Sequence, residues 1–387
     1  MRAFPVRLPS GARYWTVLDE DLKVVPVADS FLRQVRFGRD GAESTTRSYA
    51  FSIALFLRWC TRSGRAWQAG VEQIGLFMTW LAHAVPAASG ADGGAVMAGP
   101  GAVPARGARR VNAVLTAVRG MTVHAVAEGT ADGHLVPLLY EIADDRDLPA
   151  EARAGDGRMS WRMRARHRVC EPESPVTRAA DADIAALLGA CLSARDRLIV
   201  LLLSRAGLRR GEAAGLRRSD LHLLPDNRVL GCGTEGAHLH VIRRENVNGA
   251  WAKSRHARAV PLDFLVVQAA DAYQVERHQC PAARDSDFLL VNLFRPPVGA
   301  PVTPEAVGEL FEALSARAGL ARAVTPHRCR HAFGSNLADA GALLDEIQRL
   351  LGHASPSSSQ VYMHPSQARL RAAVERVPLP RETEARR

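Results

Sequence analysis

Six residues suited to breaking a phosphodiester occur in one order between positions 209 and 362 of the chain. Arg209 lies in Ala206-Gly207-Leu208-Arg209-Arg210-Gly211-Glu212, and Lys253 lies eight residues before Pro261. His327 and Arg330 share Thr325-Pro326-His327-Arg328-Cys329-Arg330-His331. His353 closes Leu351-Gly352-His353, and Tyr362 follows nine residues later. Attack on a phosphodiester adds charge to a phosphorus that already carries an anion, so its two non-bridging oxygens must be held. Two arginines do this as a fixed clamp. A tyrosine nucleophile must lose a proton from a hydroxyl whose free pKa is near ~10, and a histidine in a cationic field can accept it. The leaving 5′ oxygen needs a proton, which the ammonium of Lys253 can supply and an arginine cannot easily. This scheme requires no metal and no cofactor.

Taken singly, each piece has an ordinary explanation. An arginine after Gly-Leu is usually structural, His-x-x-Arg usually marks a polar helix face, and a lone tyrosine usually packs. Leu-Gly-His can simply end a helix, with Gly352 in the left-handed capping position. The joint order and spacing carry the signal.

The charge agrees with a polyanionic partner. The 387 residues carry a net charge of +10, and Lys23 and Lys253 are the only lysines. Arginine suits fixed bidentate contact with phosphate, and an excess of cations favours nucleic acid through counterion release. The longest strongly apolar run, Leu198 to Leu203, is too short to cross a bilayer. No basic-then-apolar leader pattern is seen, so a cytoplasmic protein with no membrane partner is expected. The six cysteines show no CxxC pair and read as reduced thiols. His238 and His240 near Cys232 could imitate a metal cluster, but no second ligand pair stands at zinc-site spacing, so no metal is expected.

The elements that position these residues fall into two domains. Residues 1–30 show no period and read as an irregular arm. Residues 31–155 read as an all-helical domain. A helix is expected from Thr45 to Cys60, capped by Ser44 or Thr45, and a second from Val71 with Ile74, Phe77, Met78, Leu81 and Val85 on one stripe. Helical patterning resumes at Asn112 to Glu128 and Leu135 to Ala143, after an Ala/Gly/Pro-rich loop or insertion at 86–108. Arg162, Arg164, Arg166 and Arg168 alternate with other residues in an extended basic linker, 156–175, that could track a DNA backbone. In the second domain, 176–387, helices are expected from Asp181, from Asp196 to Ala206, from Asp263 to His278, and from Pro304 under a Thr303 cap. Between them, His238 to Arg243, Trp251 to Lys253 and Arg258 to Leu262 read as short strands around an Asn248-Gly249 turn. The fold class is mainly α with one small antiparallel sheet.

AGLRRGEAAGLRRSDL, KSRHARAVPL, TPHRCRHAFGS and LLGHASPSSSQVYMH resemble the four signature regions of the tyrosine recombinase (phage integrase) family. The resemblance covers about residues 176–365. It implies that Arg209 and Arg330 clamp the scissile phosphate and that Lys253 protonates the leaving 5′ hydroxyl. It further implies that His327 acts as acid or base near the nucleophile, that His353 bonds the phosphate, and that Tyr362 takes up the 3′ phosphate. Glu212 falls at an acidic position supporting the first arginine, and His331 reads as a packing or hydrogen-bonding residue. Ala206, Gly211, Cys329 and Ala332 depart from the family pattern without removing a reactive group. The resemblance also implies an N-terminal core-binding helical domain, duplex recombination sites as substrate, and four protomers on two sites. Gln367 to Val377 could dock on a neighbour or on its own domain. A type IB topoisomerase-like relaxase and a non-catalytic DNA-binding accessory protein are the competing readings.

Overall fold

The computed structural model describes residues 1–84, 104–143, 162–171, 177–252, 254, 256–353, 359, 362, 371 and 375. The chain divides into two compact units, Met1–Glu173 and Ser174–Arg387, each with its own apolar core.

The first unit opens with an antiparallel hairpin of β1 (Arg2–Arg7) and β2 (Arg13–Leu18), turned at Gly11 with φ +84°. The expected irregular arm is therefore corrected. β2 escaped notice because Tyr14, Thr16, Val17 and Leu18 are all buried, so no polar–apolar alternation is left to read. Its polar groups are satisfied inside: Tyr14 Oη and Thr16 Oγ1 both donate to Asp29 Oδ1, at 2.9 and 2.7 Å. Asp29 lies on α1 (Pro26–Arg33), which runs into a π-helical turn at Gln34–Gly38.

α2 (Glu43–Arg62) buries Ile53, Phe56, Leu57 and Cys60, and it begins ahead of the expected cap, at Ala42, with no side-chain cap bond. The single helix expected from Val71 is two helices, α3 (Trp67–Glu72) and α4 (Ile74–His83), with Ile74, Phe77 and Leu81 buried. α5 (Ala108–Ala127) and α6 (Leu135–Leu139) follow. The chain then becomes β3 (Tyr140–Ala143), paired antiparallel with β4 (Arg162–Ala165). This unit is not all-helical, and the expected last helix stops at Leu139. The alternating arginine segment is extended, as its pattern suggests, but it forms a ladder that single-strand periodicity cannot foresee. Beyond it, Val169 and Asn112 exchange two hydrogen bonds of 2.9 Å, fastening the segment to α5. Residues 85–103, 144–161 and 172–176 lie outside the described residues. So do most of the expected 86–108 loop and both ends of the expected linker.

The second unit is built around α8 (Ala194–Ser204), whose run Leu198 to Leu203 is wholly buried. α7 (Asp181–Gly189) precedes it, and Ser193 Oγ caps α8 by accepting from the Asp196 amide at 3.1 Å. After α9 (Arg210–Ala214) come the three strands of one antiparallel sheet, β5 (Leu221–His222), β6 (His238–Val241) and β7 (Arg258–Pro261), in that order. α10 (Phe264–His278), α11 (Pro304–Arg317) and α12 (Pro326–Asp339) follow, capped by Asp263, Thr303 and Thr325. α13 (Leu344–Leu351) ends at Gly352 with φ +61°. α8 packs against α10 and α12.

The strand expected at Trp251 to Lys253 is absent at Trp251 and Ala252; β7 pairs with β6 instead. Asn248 Nδ2 donates to Ala214 O at 3.0 Å and Val302 O at 2.7 Å, which holds the turn beside α9. The chain leaving that turn passes over Gly211, where an added Cβ would sit 2.8 Å from the Trp251 carbonyl oxygen. The expected docking segment from Gln367 to Val377 lies outside the described residues except for Arg371 and Glu375.

Candidate active site

Arg209 is the residue before α9, with extended backbone, and Glu212 sits one turn into that helix. Glu212 is 2% exposed, and its oxygens accept from Arg209 Nη1 at 2.7 Å and from the Arg209 amide at 3.0 Å. Arg258, reaching across from β7, donates to both oxygens at 3.2 and 2.8 Å. Arg330 on α12 brings Nη1 to 3.7 Å of the same carboxylate. It also donates to the carbonyls of Gly207 and Leu351. Burial raises the Glu212 carboxyl, but hydrogen bonding and charge from Arg258, then Arg209 and Arg330, outweigh it and hold the group at about 2. Burial, then repulsion by Arg209, lowers Arg330 to about 9.

Three guanidiniums around one carboxylate leave a positive surplus in a protein interior. Such a surplus costs free energy unless an anion completes it. Glycines permit the close approach of these groups. Gly207, at φ +62°, would drive a Cβ to 2.3 Å of the Phe333 ring, and at Gly352 a Cβ would meet the Arg258 guanidinium at 2.6 Å. The Gly352 carbonyl meanwhile accepts from Arg209 Nη2 at 3.4 Å.

Tyr362 sits beside this cluster and is 7% exposed. Its ring covers Gly334 on α12, where an added Cβ would lie 2.9 Å from the ring. It also stacks on His353 at 6.1 Å between centroids. The Tyr362 hydroxyl is 2.7 Å from His331 Nδ1, and His331 Nε2 is 2.7 Å from His327 Nε2. With neutral rings, both bonds are satisfied when the hydroxyl donates to Nδ1 and the Nε2–H of His331 donates to His327, and equally with both directions reversed; the first arrangement is the one that carries a proton away from the phenol. The pair therefore forms a path for a proton from the buried phenol to the exposed ring of His327. Burial, then His327 and Arg330, pushes His331 down to about 4, so it stands as a neutral acceptor. Burial, then Arg330, Arg209 and Arg258, does the same to His353, whose Nδ1 is 2.8 Å from Ser359 Oγ. Burial raises the Tyr362 hydroxyl, and Arg330 and Arg209 pull it partly back.

Residues 178–369 match the phage integrase family. Tyrosine recombinase XerD of Oceanobacillus iheyensis is 30% identical over 46% of this chain and 53% of its own length. Tyrosine recombinase XerC of a Methylobacterium species is 36% identical over 47% of this chain and 49% of its own. The second unit belongs to the phage integrase family. The chain spans about half the length of these curated relatives. Among solved structures, a Tn1549 transposon integrase in complex with transposon right end DNA has a TM-score of 0.55 at 18% identity. That match covers 91% of this chain and 99% of the other. The XerH site-specific recombinase bound to difH substrate has a TM-score of 0.54 at 17% identity, with 90% and 88% covered. At these identities the likeness is one of fold, that of the tyrosine recombinase catalytic domain.

Within the integrase unit, Arg209, Glu212, His327, Arg330, His331, His353 and Tyr362 converge from four separate stretches of chain. The histidines differ from expectation in one respect. His331 touches the Tyr362 hydroxyl, and His327 lies one ring further out, because residues four apart on α12 stack along one helix face. Lys253 lies outside the described residues. Arg258 was overlooked: it is an arginine within a short strand, 9% exposed, and its signal is a cation at a strand position that the sheet buries. Gly334 was overlooked too, and a lone glycine inside a helical pattern is the available cue. Arg162, Arg164, Arg166 and Arg168 belong to the first unit. There Arg164 donates to Glu141 at 2.8 Å and Arg166 to the Pro137 carbonyl at 3.3 Å.

Proposed function

We propose that this chain is a site-specific DNA recombinase that cuts and rejoins strands through a 3′-phosphotyrosyl link on Tyr362. The buried surplus of guanidinium charge next to a tyrosine hydroxyl already hydrogen-bonded to a neutral histidine carries this reading. A scissile phosphate supplies the missing anion, and Arg209 and Arg330 hold its non-bridging oxygens. Arg258 and Glu212 fix the guanidiniums in place. The phenol proton passes to His331 and on towards His327 as the phenolate oxygen bonds to phosphorus. The bond from phosphorus to the 5′ oxygen breaks, and that oxygen leaves as a hydroxyl, with Lys253 as the proposed proton donor. Rejoining is the same exchange in reverse by a 5′ hydroxyl. The phosphodiester energy is kept in the phosphotyrosine, so the exchange needs no added energy source.

The relatives named as recombinases support strand exchange over simple relaxation of supercoils. Among the described residues no helix is long and apolar enough to cross a membrane. A cytoplasmic protein acting on duplex DNA as a homo-oligomer, four protomers on two sites, completes the proposal. Integration, excision or transposition of a mobile element is its setting. The test uses nicked duplexes that cover the flanks of the gene. The wild-type chain is expected to form a DNA–protein adduct stable to denaturing detergent, and Tyr362→Phe is expected to form none while still binding the duplex. An adduct that persists in Tyr362→Phe would place the nucleophile elsewhere.

A further inference from the structure

The small sheet carries a second polar cluster that plays no part in the scheme above. In the β5–β6 register His222 stands opposite His238, and β6 alternation puts His238 and His240 on one face. The connection between the strands brings Cys232 over that face. Cys232 Sγ lies 3.3 Å from His238 Nε2 and 3.4 Å from His240 Nε2, and those two nitrogens are 3.2 Å apart. One donor atom from each of His222, Cys232, His238 and His240 lies within 4.8 Å of all the others.

The proton positions are constrained by the surroundings. His238 Nδ1 is 2.8 Å from the Gly236 carbonyl. A carbonyl only accepts, so the proton sits on Nδ1 and Nε2 presents a lone pair. His222 Nε2 faces the Ser219 carbonyl at 3.2 Å, which leaves Nδ1 as its lone-pair nitrogen. That Nδ1 is buried with no hydrogen-bond partner among the described residues. His222 is 8% exposed and His238 1%. The Thr234 amide is 3.5 Å from Cys232 Sγ, as a donor to a thiolate would be.

We propose that His222, Cys232, His238 and His240 form a structural site for one divalent cation of the zinc class, bound by three imidazoles and one thiolate. A tetrahedron with metal–nitrogen bonds of about 2.0–2.1 Å and a metal–sulfur bond of about 2.3 Å has edges of about 3.3–3.6 Å. The three edges among Cys232, His238 and His240 lie within about 0.2 Å of that range, and His222, whose edges reach up to 4.8 Å, completes the set by drawing in on the cation. Imidazole with thiolate selects zinc-like ions over magnesium or calcium, and four protein ligands leave no open position for catalysis. The carbonyls of Gly236 and Ser219 supply the outer hydrogen bonds that hold imidazole ligands in one tautomer. The cation pins the 223–237 connection onto β5 and β6. β6 in turn pairs with β7, the strand that carries Arg258 to Glu212. The pattern is invisible as a spacing motif because β-pairing, not helical or CxxC spacing, brings His222 to the other three.

The test uses the full chain made without a metal-binding tag and dialysed free of loose metal. Elemental analysis is expected to find about one zinc per chain, falling below about a tenth in Cys232→Ser and in His240→Gln. Replacement by cobalt(II) should give the intense visible absorption of a tetrahedral ion and a near-ultraviolet thiolate-to-cobalt band, the latter missing in Cys232→Ser. A wild-type chain without zinc that also fails to take up zinc from a chromophoric chelator overturns the proposal. So does a cobalt spectrum unchanged by Cys232→Ser. If Cys232→Ser does not fold, the wild-type cobalt spectrum decides alone: a thiolate band supports the site and its absence overturns it.

Discussion

The second unit buries two polar clusters that are incomplete in opposite senses. Around Glu212, the guanidiniums of Arg209, Arg258 and Arg330 outnumber the one carboxylate. On the β5–β6 face, three imidazoles and a thiol bring one possible ligand atom each within 4.8 Å of the others. The first arrangement is completed by an anion and the second by a cation. By contrast, Asp29 is balanced locally, accepting from Tyr14 and Thr16 and pairing with Arg33. In a medium that screens charge poorly, an unbalanced cluster marks a place kept for a ligand.

Perturbing each cluster in turn tests this contrast. The largest stability effect is expected from Glu212→Gln, which leaves Arg258 and Arg330 buried with no counter-charge. Breaking a buried pair in this way costs about 3–5 kcal/mol, measurable by urea unfolding. A neutral result would mean that the guanidiniums repel less than the contrast requires. Arg209→Ala is expected to slow adduct formation by ~10²–10³ in single-turnover assays while leaving zinc content unchanged. A simultaneous loss of zinc would merge the two clusters into one folding unit.

The histidine pair gives a finer discrimination. His331→Ala should slow adduct formation by about 10² or more, and His327→Ala by less, since His331 touches the hydroxyl and His327 receives the proton second. The reverse order would restore His327 as the immediate acceptor. A further effect is expected on pH-dependent stability. His331 and His353 are held at about 4 in the folded chain against 6.5 when free, so the unfolded chain binds more protons between those values. Their stabilising contribution is full above about pH 6.5 and is lost as pH falls towards 4. Glu212, held at about 2 against 4.5, adds a second decline from about pH 4.5 towards 2, which Glu212→Gln should remove. Unfolding midpoints measured from pH 8 to pH 2 follow both limbs.

How far sequence sufficed differs between helices and sheets. The Thr303 cap places the start of α11 and Gly352 marks the end of α13, because these contacts span only a few residues, whereas the cap expected at Ser44 or Thr45 gives way to Ala42. Strands are another matter. The β1–β2 hairpin hides because β2 buries both faces, and β3 is settled by β4, about twenty residues on; β6 and β7 are legible as strands, but the extra strand expected at Trp251 to Lys253 is not formed at Trp251 and Ala252. The same divide separates Arg258 and His222 from the residues named at the outset, and gives His331 its contact with Tyr362. Their importance comes from which neighbour lies across a helix face or a strand ladder.

Residue chemistry and order by themselves grouped an arginine pair, a histidine set and Tyr362 into one proposed phosphoryl-transfer scheme, because that reaction demands those groups wherever they lie. They also determined a mainly helical second unit, because helix signals are local. Only the tertiary structure decided that Glu212 collects three guanidiniums, that His331 holds the Tyr362 hydroxyl, and that a fourth donor joins Cys232, His238 and His240. Charge surplus, proton order and ligand geometry are relations between side chains in space, and low-dielectric burial gives them force only after the chain has folded.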